Sequence, residues 1–81
     1  MAQLSNEYRV LVDLLRELRE ANGLKQEELA KLLKKDQPFV SKYERRERRL
    51  DFTEVRDIVL ALNLTLAEFV DLYEKRLMIR S

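Results

Sequence analysis

Residues 24–49 read LKQEELAKLLKKDQPFVSKYERRERR. Leu24 and Leu29 stand at the spacing of a hydrophobic staple, with Glu28 in the first turn between them. Leu29, Ala30 and Leu33 then share one face of a helix from about Gln26 to Leu33. Lys34-Lys35-Asp36 makes a turn, and the Asp36 carboxylate can cap the helix that follows, from about Gln37 to Arg45. Pro38 agrees with that start, because the first turn of a helix has no use for the N–H that proline lacks. Val40 and Tyr43 are three apart and face inward, leaving Gln37, Ser41, Lys42 and Arg45 pointing mainly outward. Only Lys25 fits poorly, since as a cap residue it offers no side-chain acceptor. Physically this is a helix small enough for a nucleic-acid groove, held by a second helix and edged with positive charge.

The flanking sequence supplies three more helices. Leu11, Leu14, Leu15 and Leu18 recur at helical spacing over about Glu7 to Ala21, and Asn22-Gly23 ends that run. In LDFTEV, residues 50–55, Asp51 and Glu54 form a capping box and Leu50 staples to Val55. LTLAEF, residues 64–69, repeats the grammar with Thr65 and Glu68. The fourth helix offers Val55, Ile58, Val59 and Leu62 to a core, and the fifth offers Leu66, Phe69, Val70, Tyr73 and Leu77. The expected fold class is all-α, a five-helix single domain over residues 1–81 with its core at about 7–77 and a helix-turn-helix at about 26–45. No linker or internal repeat divides it.

Composition narrows the chemistry. With 81 residues the chain has room for one modest core, and one Gly and one Pro suit helices. It has no Cys and no His. That removes disulfides, thiolate nucleophiles, most transition-metal sites and the commonest general base, so no cofactor, no metal and no enzymatic activity are expected. No apolar run approaches the roughly 20 residues of a membrane span, and no signal-peptide core stands at the N-terminus. A cytoplasmic protein without a membrane partner is the expectation. Net charge is only +1, but it is unevenly spread. Residues 25–49 hold nine Lys/Arg against five acids, while 1–24 hold three against four and 50–81 hold four against six. A basic middle between acidic flanks suits a polyanion.

The stretches LRELREANGLKQEELAKLL, QPFVSKYERRERRLDF and VLALNLTLAEF together resemble the lambda-repressor-like DNA-binding domains, also called the Cro/C1-type or XRE family. The likeness spans about residues 11 to 72 and is carried by Arg19, Gln26, Leu29, Ala30, Val40, Ser41 and Glu44. It implies a compact domain whose third helix enters the major groove, within a dimer on a palindromic operator. By position it assigns base contacts to Gln37, Ser41 and Lys42, a phosphate contact to Gln26, and a structural ion pair to Arg19 and Glu44. Three residues depart from the pattern. Lys34 stands where the turn often has glycine, Arg46 replaces the glycine after Glu44-Arg45, and Pro38 occupies a groove-facing position with no hydrogen-bond donor.

Gln37 can pair bidentately with adenine, and Lys42 suits either guanine or a phosphate. Phosphate anchors are expected from Lys25, Gln26, Lys35, Arg45, Arg46, Arg48 and Arg49, with Lys34 beside them. Phe39 is assigned to packing near the first motif helix, with contact to DNA as the alternative. Leu66, Phe69, Val70, Tyr73 and Leu77 form a candidate dimer interface on the fifth helix. The functional expectation is sequence-specific binding of double-stranded DNA and transcriptional regulation as a homodimer. The alternative is a protein-interaction module or antitoxin-like partner on the same fold, reading little or no DNA.

Overall fold

The computed structural model describes residues 5–80. Its five helices are α1 (Asn6–Ala21), α2 (Gln26–Leu32), α3 (Gln37–Glu44), α4 (Phe52–Ala61) and α5 (Leu66–Arg80). The fold is all-α, with α2 and α3 making the helix-turn-helix; α1 packs on α3 and α5, and α4 on α5. The ends of α1, α2 and α3 lie within a residue of those expected. α1 gains a residue because Ser5 caps it, its hydroxyl accepting from the Tyr8 N–H at 3.1 Å. α2 stops at Leu32 and α3 at Glu44, where Leu33 and Arg45 become C-caps.

Start signals act through named atoms. The Asp36 carboxylate accepts from the Phe39 N–H. Asp51 and Glu54 exchange bonds with each other's backbone at 2.8 and 3.0 Å, and Thr65 and Glu68 do the same at 3.1 and 2.8 Å. α2 has half a box: Glu28 accepts from the Lys25 N–H at 2.7 Å, and lysine has nothing to return. Backbone and Thr53 hydrogen bonds hold the Asp51 carboxyl below its ordinary pKa.

The four interhelical stops are alike. Leu24 N–H bonds Arg19 O, Lys35 bonds Ala30, Glu47 bonds Lys42 and Leu64 bonds Val59, each the six-to-one bond of a Schellman turn. Such a turn needs one left-handed residue, and the four are Gly23 (φ 70°), Lys34 (58°), Arg46 (63°) and Asn63 (66°). The geometry that glycine serves elsewhere is thus kept at Lys34 and Arg46, so the loop after α3 is not reshaped. A left-handed backbone costs an L-residue about 1–2 kcal/mol, of which glycine's freer unfolded chain takes back about 0.4–1. Lys34→Gly is therefore expected to raise stability by about 0.5–1 kcal/mol, read as a higher urea midpoint at unchanged slope.

The core gathers Leu14 and Leu15 from α1, Leu29 and Ala30 from α2, Val40 and Tyr43 from α3, the α4 face, and Phe69. Tyr43 is wholly enclosed, its hydroxyl has no hydrogen-bond partner among the described residues, and burial pushes its phenol well above the ordinary pKa. Val10 and Val12 are also buried, a contribution the leucine spacing of α1 did not include. One expected core position differs: Val70 is 42% exposed. Leu11, Leu18, Leu33, Leu66, Tyr73 and Leu77 are half-buried. α5 is lashed to α1 by polar bonds: Arg76 grips Glu17 at 2.9 and 3.0 Å, and the Tyr73 hydroxyl donates to Glu7 O at 3.0 Å.

Candidate nucleic-acid interface

The recognition helix is anchored from α1. Arg19 and Glu44 are each only 8% exposed. The guanidinium donates from Nε to Glu44 Oε2 at 2.7 Å and from Nη2 to Oε1 at 3.0 Å, while Nη1 donates to Leu24 O at 2.7 Å. One arginine thus ties α1 to α3 and to the entry of α2. Its hydrogen bonds to Glu44 raise its pKa further. A bidentate, desolvated pair of this kind is costly to break from one side only.

From that pair a hydrogen-bonded chain runs outward. Gln26 donates from Nε2 to Glu44 Oε1 at 2.9 Å, and its own Oε1 accepts from Gln37 Nε2 at 2.9 Å. Gln37 is exposed at the start of α3. Beside it lies an open depression of about 480 Å³ lined by Arg19, Lys25, Gln26, Glu27 and Gln37. The structure therefore brings Gln26 and Gln37 into direct contact, a link that their separate roles in the sequence did not contain.

Ser41 requires correction. It is 8% exposed rather than outward-facing, and its hydroxyl accepts a hydrogen bond from the Arg45 guanidinium. Lys42 is exposed one residue further on. Phe39 is half-buried, edge-on to Tyr43 at 5.7 Å between centroids. It borders a small cavity with Leu33, Lys35, Glu54, Asp57 and Ile58, and so packs towards α4 as well as the motif.

The arginine cluster is less available than its spacing suggested. Arg45 donates to Glu47 at 2.9 and 3.1 Å, which holds the Glu47 carboxyl below its ordinary pKa. Arg46 meets Asp13 of α1 at 2.6 Å. Arg48 grips Glu54 at 3.0 and 2.8 Å and lies over the Phe39 ring, lowering the Glu54 pKa. Arg49 stacks on Tyr8, 4.4 Å from its centroid. Among the described residues the ammonium groups of Lys25, Lys34 and Lys42 are in no ion pair, and Lys35 rests over Phe39 at 5.4 Å.

Tyr8 is a residue that the sequence did not single out for the site. Its hydroxyl accepts from the Leu50 N–H at 3.0 Å and donates to Arg48 O at 3.4 Å, buckling the α3–α4 loop onto α1. It also walls an apolar groove of about 330 Å³ whose α5 side is Leu66, Phe69, Val70 and Tyr73. Phe69, 2% exposed, is spent on the core and forms only the groove floor, and Leu77 does not line it. Phe52, 69% exposed on the opposite rim, belongs to this surface and was hidden in the sequence as the first residue of α4.

An all-α domain with a helix-turn-helix braced by a buried ion pair defines a class, and comparison with known proteins places the chain in it. The helix-turn-helix family model matches residues 15–69. An XRE-family-like protein from Pseudomonas syringae pv. tomato str. DC3000 is 40% identical over 85% of this chain and 84% of its own, with a TM-score of 0.80. The chain belongs to the XRE (Cro/C1-type) helix-turn-helix family. The wild-type restriction-modification controller protein C.Esp1396I has the same fold at 23% identity, with a TM-score of 0.86 over 93% of this chain and 99% of that one. The same controller, as a tetramer on its natural 35-base-pair operator, superposes with a TM-score of 0.85, also at 23% identity and the same coverage. A comparison with curated protein sequences finds no match. Among the described residues no helix is long and apolar enough to cross a membrane, and no group of His, Cys, Asp or Glu is arranged to hold a metal.

Proposed function

We propose that this protein binds double-stranded DNA sequence-specifically, as a homodimer on a palindromic operator, and regulates transcription from it. The observation that carries this reading is the hydrogen-bonded chain from Arg19–Glu44 through Gln26 to the exposed Gln37. It fixes the outer face of α3 against the body of the domain, as a reading helix requires. Gln37 and Lys42 meet base edges, and Gln26 at the start of α2, with the unpaired Lys25 and Lys34, faces phosphates. Lys35 and Arg49 rest on aromatic rings and keep their charge as a positive field, whereas Arg45, Arg46 and Arg48 are balanced by Glu47, Asp13 and Glu54 and reach phosphates only by leaving those partners. The solved operator complex of the controller protein, on the same fold, supports the assignment. The apolar groove bounded by Phe52, Leu66, Val70 and Tyr73 takes a second copy, which sets two reading helices on successive half-sites. The protein works in the cytoplasm, on the nucleoid.

Operator selection from random sequence, followed by titration at several salt concentrations, tests the reading. Affinity is expected to fall steeply with salt, and Gln37→Ala is expected to cost about 1–3 kcal/mol of discrimination at one position of each half-site. A second reading, a protein-interaction module, is favoured by the internally engaged arginines and the apolar groove. No selected sequence and no salt dependence would decide for it.

A further inference from the structure

The four arginines that follow α3 are not equivalent. Arg45, Arg46 and Arg48 each face a carboxylate, at 2.9, 2.6 and 2.8 Å. Arg49 is exposed, and among the described residues its guanidinium is in no ion pair and no side-chain hydrogen bond. It lies instead over the Tyr8 ring, 4.4 Å from the centroid. A ring attracts a guanidinium without neutralising it and without occupying its N–H groups. The same tyrosine holds the main chain on both sides of Arg49. Its hydroxyl donates to Arg48 O at 3.4 Å, in the peptide before, and accepts from the Leu50 N–H at 3.0 Å, in the peptide after. The Arg49 carbonyl in turn accepts from the Arg48 guanidinium at 3.0 Å. Tyr8 is only 8% exposed, so one fixed side chain of α1 grips a loop arginine at three points.

We infer that Tyr8 is a positioning residue for phosphate contact: it presents Arg49 in a set place, and Arg49 is the arginine of this loop that grips the DNA backbone. The inference rests on the DNA-reading function proposed above. A guanidinium suits a phosphate because two of its N–H groups meet two oxygens at once. For Arg45, Arg46 or Arg48 to make that pair, a carboxylate must first be given up. Arg49 gives up nothing, since the phosphate takes N–H groups while the ring keeps the cation's face. Contacts from long surface side chains are weakened by the ordering they need on binding. Tyr8 supplies that ordering before DNA arrives. Its ring also walls the apolar groove, so removing the hydroxyl alone separates the loop from the seam.

The test uses the full chain, its selected operator and an isolated half-site, with Tyr8→Phe, Arg49→Gln and the two together. Arg49→Gln changes an exposed side chain, so the fold survives and the test stays decisive even where Tyr8→Phe does not fold. On the half-site, Arg49→Gln is expected to flatten the dependence of log affinity on log salt by about 0.9. Tyr8→Phe is expected to weaken half-site binding about fivefold while Arg49 is present, and not at all once Arg49→Gln is in place. Sequence preference and the dimer constant are expected to stay as in wild type. If Arg49→Gln leaves the salt dependence unchanged, Arg49 is no phosphate contact and the inference is overturned while base reading stands. If the two losses simply add, or Tyr8→Phe weakens the dimer instead, Tyr8 does not act through Arg49 and the inference is likewise overturned. A wild type with no selected sequence and no salt dependence removes the DNA-reading function itself, and the inference with it.

Discussion

Glu44→Ala is expected to lower stability by about 3–5 kcal/mol, because it leaves the Arg19 guanidinium buried without its counter-charge. In a domain of this size that corresponds to a fall in melting temperature of roughly 15–30 °C. The loss should exceed anything attributable to Glu44's own contacts, since Arg19 is 8% exposed and keeps only one carbonyl, Leu24 O, and a long contact at 4.0 Å to the half-exposed Glu20 carboxylate. Replacing both partners with apolar residues, Arg19→Met with Glu44→Leu, is expected to recover most of that loss, since neither charge is then stranded. Urea unfolding of the wild type, both single variants and the double variant measures the coupling between them. A Glu44→Ala protein as stable as wild type would show that Arg19 reaches water, and the ion pair would then not be the brace of the recognition helix. The double variant carries a second expectation. It folds, but lacks the carboxylate that Gln26 donates to, so its discrimination at the position Gln37 reads should be weaker than that of the wild type.

The sequence made the architecture legible because its punctuation is local. Asp36, Asp51 and Thr65 bond to backbone N–H groups within three residues of themselves, so their roles follow from spacing alone. The glycine-poor stops were less transparent. Of the four left-handed residues Gly23 and Asn63 advertise themselves by type, whereas Lys34 and Arg46 show only through the family's glycine positions and are held left-handed by the six-to-one bonds of their turns. Exposed positions were legible where the face of one helix decides exposure, as at Gln37 and Lys42. They were not where a distant carboxylate decides availability. Arg46 is neutralised by Asp13, 33 residues earlier, and Tyr8 reaches the backbone at Leu50, 42 residues later. The burial of Ser41 has a nearer cause, since the arginine one turn on folds back over it. Phe52 was missed because a first-turn aromatic beside a capping aspartate reads as part of the helix start. Its rim position is created only when α1 and α5 close the groove.

Val70→Asp is expected to abolish self-association and to lower operator affinity by at least about a hundredfold, with binding to an isolated half-site nearly unchanged. Val70 is the substitution of choice because it lines the groove yet stands 42% exposed in the single chain, so a carboxylate there is hydrated and the fold tolerates it. Phe69, on the groove floor, would report on core packing instead. When two copies meet across a two-fold axis the new carboxylate enters the seam twice, and burying two like charges side by side costs several kcal/mol. The hundredfold loss follows from linkage: once one half-site is engaged, the partner's reading helix acts at a high effective concentration, and a monomer forfeits that advantage. Phe52→Ser removes the exposed aromatic on the opposite rim without adding charge, and should weaken the dimer less. Sedimentation equilibrium gives the dimer constant, and titration of whole and half operators gives the two affinities. If Val70→Asp and Phe52→Ser both remain dimeric, the groove is not the seam. If Val70→Asp is monomeric yet binds the whole operator as tightly as wild type, the two half-sites are not read by one dimer.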